Sequence, residues 1–165
     1  MTTITSTSLN IRNSTLRSIA LGGTMVAMLH LIVQDGLVFS LLGQRPFILV
    51  IQYVASGAMG NAAFAGGLAT ALLGLVIHFL ISLIVAGVFI LSIDRIPLLR
   101  RNIILGSLLY GFGVFVVLYY VVLPLSAAPP VPLHTADIAE LILEHALVIG
   151  LPLGLFLRRN TKTNN

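Results

Sequence analysis

The chain has 165 residues, of which 58% are hydrophobic and 8% charged, and its mean hydropathy is +1.06. So few charges exclude a soluble domain and place the chain among integral membrane proteins, with room for one small bundle. It has no cysteine, which excludes disulfides, thiol redox chemistry and zinc–thiolate sites; its net charge of +4 does not point to nucleic acid, because the basic residues lie at the ends of apolar runs, where they report topology.

In chain order, residues 1–17 are rich in Thr, Ser and Asn and carry Arg12 and Arg17; they read as a short disordered cytoplasmic tail. Residues 18–42 form the first span. The run is too long for a signal-peptide core and no small-residue cleavage site follows, so the span is expected to stay uncleaved. It contains His30, Gln34 and Asp35. His30 and Gln34 share a helix face, and Asp35 is turned about 100° from Gln34. One reading is a polar cluster lining a cavity or proton path. The other ends the hydrocarbon segment near Val33, with Gln34 and Asp35 at the interface.

Residues 43–46 read as a turn, and 47–55 are apolar apart from Gln52 but too short to cross. The stretch SGAMGNAAFAGG at 56–67 lacks the Lys-Ser/Thr of a phosphate loop. It is expected to be a short interfacial or re-entrant helix leading into the second span, with a re-entrant pore segment as the functional alternative. Residues 68–93 are the second span, 26 residues without a charge, or about 39 Å of helix. Gly67, Ala71, Gly74, His78 and Ser82 recur on one face. Small residues mark close helix packing in lipid, which puts His78 inside the bundle.

DRIPLLRRN at 94–102 is a basic loop. Residues 103–123 are the third span, with Gly106, Gly111 and Gly113 as points of close approach and Tyr119 and Tyr120 suited to the interfacial aromatic belt. A loop with three prolines and His134 leads to the fourth span, 138–157, and to a cytoplasmic tail, 158–165. Asp137 and Glu140 fit an N-cap pair. Glu144 and His145 lie about two turns into the helix, where a carboxylate needs a partner. Pro152 frees the Val148 carbonyl, giving either a kink or a local binding feature.

The basic residues divide eight (Arg12, Arg17, Arg95, Arg100, Arg101, Arg158, Arg159, Lys162) against one, Arg45. This positive-inside pattern predicts both termini in the cytoplasm. The expected fold is therefore all-α: a bundle of four transmembrane helices with an interfacial or re-entrant segment after the first. His30, His78, Glu144 and His145 are the candidate polar cluster. Three uses are open to it: helix-to-helix hydrogen bonds, a proton relay, and a divalent metal site. Against metal, no two histidines are four apart on one helix, so ligands must converge from different spans.

QYVASGAMGNAAFAGGLATALLGLVIHFLISLIVAGVF and LLYGFGVFVVLYYVVLPLSA resemble a family of small four-helix bacterial inner-membrane proteins, loosely similar to the YagU-like group. The resemblance covers roughly residues 52–127 and includes the ASG-x-x-G entry, the Gly-Gly helix start, the Tyr-Gly third helix and the PLSA end. The family pattern tends to an Asp in the first span where this chain has His30. The resemblance implies a bacterial cytoplasmic membrane and a four-helix bundle, and no activity. The sequence thus leads to a non-enzymatic membrane protein with no cofactor, binding a lipid or protein partner or forming a homo-oligomer. A small proton-coupled transporter and a metal-dependent membrane enzyme are the alternatives.

Overall fold

The computed structural model describes residues 3–33, 46–93 and 95–162, and every regular element among them is helical. Helix α1 is Thr3–His30, α2 is Phe47–Met59 followed by a 3-10 turn at Gly60–Ala65, and α3 is Gly67–Ser92. The short α4 is Pro97–Arg101 and α5 is Ile103–Leu125. Helix α6 joins Thr135–Glu144, a π-helical turn at His145–Gly150 and Leu151–Lys162. Five helical stretches are long and apolar enough to cross a membrane: Ser14–Val33, Phe47–Ala65, Gly67–Ser92, Ile103–Leu125 and Thr135–Arg159.

Two expectations change here. The first helix begins at Thr3, so the expected disordered tail is helical over its described part. The second is at 47–65, where residues 47–55 read as too short to cross: the chain continues through the glycines as one helical stretch of 19 residues, Phe47–Ala65. Gln52 holds this stretch together. It is 2% exposed and donates to the Gly67 carbonyl at 2.9 Å and to Thr70 Oγ1 at 3.1 Å, while Thr70 Oγ1 donates to the Ala63 carbonyl at 2.6 Å. Gly60 and Gly67 take positive φ on either side of the turn, a conformation that side chains with a Cβ resist. Gly67 therefore turns the chain and does not pack a helix, since a Cβ on it would meet nothing within 4 Å. Gln34, Asp35, Arg45 and the 43–46 turn lie outside the described residues.

The helix directions follow from the small residues. A Cβ on Gly23 would lie 2.8 Å from the Leu83 Cα, and Gly87 faces Ile19, so α1 runs antiparallel to α3. A Cβ on Gly74 would run into the Ile51 carbonyl, and further along the chain Ala63 meets Thr70, so α2 runs antiparallel to α3 as well. Helices α1 and α2 thus point the same way. Gly150 and Gly154 meet Ser107, and Gly111 meets the His145 carbonyl, so α5 and α6 are also antiparallel. Of the expected close-approach glycines, Gly106 meets Leu99, whereas Gly113 meets nothing within 4 Å.

Val26, Ala86, Phe89, Leu99, Val114, Ile149, Leu153 and Leu157 form one buried cluster drawn from α1, α3, α4, α5 and α6. Tyr110 ties α5 to α3 there, donating to the Val85 carbonyl at 2.7 Å. Beyond this cluster Arg17, Arg95, Arg101, Arg158 and Arg159 are exposed at one end of the bundle. On α3, Leu68, Leu72, Val76, Leu80, Ile84, Val88 and Leu91 form an exposed apolar stripe, a surface suited to lipid and not to water.

The α2–α3 contact is tight enough to test. Gly74→Ala is expected to destabilise the protein by about 1–3 kcal/mol through overpacking, measured as a lowered unfolding midpoint in detergent, whereas Gly113→Ala should change it by less than about 0.5 kcal/mol.

Candidate functional site

Three helices bring ionisable side chains to one place. His30 is the last residue of α1, His78 lies in the middle of α3, and Glu144 and His145 sit where α6 passes into its π-helical turn. His78 is about 16 Å of helix from the start of α3 and about 21 Å from its end, so the cluster is well inside the bundle. All four candidate residues from the sequence therefore meet. His30 and His78 have ring centroids 5.3 Å apart, and His30 and His145 are 5.8 Å apart.

The helix geometry is irregular on α1, α5 and α6 where they meet the cluster, while α3 passes it as a regular α-helix. Residues 31–33 are π-helical directly after His30, and α5 has a π-helical turn at Leu118–Val122, beside His145. The π-helical segments of α5 and α6 each end two residues before a proline, Pro124 and Pro152. A proline has no N–H for the carbonyl four residues back and clashes with it, which favours the wider register. Such turns recur at functional sites. They set Tyr119 with its ring 6.0 Å from that of His145, next to Phe115 at 5.7 Å. The sequence placed Tyr119 in the interfacial belt; Tyr120, 59% exposed, fits that position better. The proline two residues past each turn was the available signal.

Glu144 is the centre of the cluster. It is 7% exposed, with Oε1 3.3 Å from His30 Nε2 and Oε2 2.5 Å from His145 Nδ1. Both contacts are close, but neither has the alignment of a hydrogen bond, and both carboxylate oxygens are buried without one. His145 Nδ1 is also 2.9 Å from the Leu141 carbonyl one turn back. If Nδ1 carries the proton for that carbonyl, Nε2 holds the free lone pair. His78 is held differently, with Nε2 3.1 Å from the Ala27 carbonyl of α1, and Ser82 donates to the His78 carbonyl at 2.9 Å.

The ligating atoms of His30, Glu144 and His145 lie within 4.8 Å of one another. Two ligands about 2.0–2.1 Å from a tetrahedral metal are roughly 3.3 Å apart, which is the His30–Glu144 separation. The His145–Glu144 contact is shorter than that. Imidazole and carboxylate together suit zinc, iron, manganese or cobalt. The convergence also answers the objection from spacing, because the two histidines come from different helices, His30 from α1 and His145 from α6.

Near the helix start the N-cap assignment is corrected. The cap is His134, whose N–H donates to Asp137 Oδ2 at 2.8 Å, so Asp137 is the third residue of the helix and Glu140 takes no part. Glu140 is exposed on the next turn.

No family model matches the chain, and neither a curated protein nor a solved structure does.

A carboxylate without aligned donors adds little to folding, since replacing buried ionic groups by apolar ones of similar volume is often neutral or stabilising. Glu144→Leu is therefore expected to leave the unfolding midpoint of metal-free protein unchanged or raised. A fall of more than about 2 kcal/mol would make Glu144 a structural residue.

Proposed function

We propose that this chain is an integral protein of the bacterial cytoplasmic membrane, with its arginine-rich end in the cytoplasm, and that it holds one divalent transition metal at His30, Glu144 and His145. The observation that carries this reading is the buried Glu144 carboxylate, which accepts no aligned hydrogen bond yet has an imidazole nitrogen near each oxygen. An ionised carboxylate inside a membrane bundle needs a compensating cation or proton, and the three ligating atoms are close enough to share one ion. His78 stands against His30 and steadies it from α3.

In this reading four helices cross, α1, α3, α5 and α6, and α2 is a re-entrant arm. The support is directional. Successive full spans must alternate, whereas α1 and α2 run the same way. The placement of arginines at one end agrees with the positive-inside rule.

A second reading has its own observation. The 2.5 Å separation of His145 Nδ1 and Glu144 Oε2 suits a proton passed between carboxylate and imidazole with no metal present, as in a proton-coupled transporter. Binding of a lipid or protein partner through the glycine faces has less support. Gly74, Gly111, Gly150 and Gly154 are filled by this chain's own helices.

The test is metal content. Protein purified in mild detergent and exposed to Zn2+, Mn2+, Fe2+ or Co2+ is expected to carry about one ion per chain by native mass. The combined His30→Ala and Glu144→Gln change should abolish that mass increment. Wild-type protein that takes up none of the four ions would remove the metal reading. The proton reading would then predict that Glu144→Gln eliminates pH-driven flux in liposomes.

A further inference from the structure

We propose that a hydrated divalent cation reaches this centre from the end of the bundle opposite the arginines, along the face of α6 that carries Asp137, Glu140 and Glu144; this inference rests on the metal reading above. At 100° per residue the three carboxylates fall within about 60° of arc, at successive turns. Asp137 is half-buried at the helix start, Glu140 is exposed one turn on, and Glu144 is buried about 6 Å of rise further in. They form a descending series from the bundle surface to the centre.

The acids of this series are not explained by structure alone. Asp137 caps the helix with one oxygen, on the His134 N–H. Glu140 is exposed and forms no ion pair with any described residue. Glu144 ends the series as a buried carboxylate, both of whose oxygens lack a hydrogen bond. Carboxylates at a mouth attract cations and raise their rate of arrival, whereas affinity is set by the ligands at the end of the path.

The other end of the bundle has the opposite sign. Arg17, Arg95, Arg101, Arg158 and Arg159 are exposed there, and Arg158 is about 21 Å of helix from Glu144. Between them lies the apolar cluster of Val26, Phe89, Val114, Ile149 and Leu153, which offers a cation no ligand. The centre is thus loaded and unloaded from one side, as a resident site is, and does not lie on a path through the bundle.

The probe is Co2+ added to the metal-free full-length protein in detergent, with loading followed by the visible absorption of the bound ion in a rapid mixer. Glu140→Gln is expected to load roughly three- to tenfold more slowly than wild type, and Glu140→Lys more slowly still. The final spectrum should not change, because Glu140 is not a ligand. Added salt should slow the wild type and narrow its lead over the variants, since it screens exposed charge. Equal loading rates in wild type and both variants would overturn the route while leaving the metal reading intact. Wild-type protein that develops no Co2+ spectrum would overturn both.

Discussion

Burial of the Glu144 carboxylate, inside helices whose outer faces are made for hydrocarbon, is the constraint the rest of the bundle serves. Water cannot solvate the group, and the helix that carries it offers no aligned donor to either oxygen. Its neighbours are imidazoles. Helix α1 supplies His30 at its last α-helical residue, and α6 supplies His145 from the next position along the chain. Helix α3 adds His78, whose hold on the Ala27 carbonyl sets α1 against α3 at that level. A cation shared among these groups is a sufficient compensation, and so is a shared proton.

Bringing three helices that close requires their backbones to approach at other levels too. Glycine lets neighbouring helices approach in several pairs: Gly23 on Leu83 between α1 and α3, Gly22 on Leu153 and Phe156 between α1 and α6, Gly74 on Ile51 between α2 and α3, and Gly111, Gly150 and Gly154 between α5 and α6. Lipid gives helices no hydrophobic reason to associate, so contact area and hydrogen bonds must hold them. The same geometry explains the π-helical turns. Pro124 and Pro152 disturb the hydrogen-bond ladder just past the cluster, and the wider turns re-aim Tyr119 and His145 towards one another.

Charge divides the described residues between the two ends of the bundle. Arginines gather at one end, next to the main apolar cluster, and the described acids lie on the other half of α6. The centre belongs to the acidic half. In the proposed reading this asymmetry sets topology at one end and attracts cations at the other.

Much of this was legible in the sequence. Composition alone points to a membrane and to helices, because only a helix satisfies its own backbone within a single apolar segment. The positions of the arginines divide the ends, and the repeat through Ala71, Gly74, His78 and Ser82 correctly turns His78 inward, where it is 7% exposed. Other features depended on partners distant in the chain. Gln52 reads as an isolated polar residue until Gly67 and Thr70 are seen to accept from it, and only then does the stretch 47–65 become a helix folded back on α3. Gly67 looks like a packing residue until its positive φ is known. His30, Glu144 and His145 could be singled out by their cost in an apolar run, but a helix period relates residues within one helix and says nothing of the distance between helices. His145 follows Glu144 in the chain, so what tertiary packing decided is the arrival of His30, because α1 lies against α6 where Gly22 meets Leu153 and Phe156.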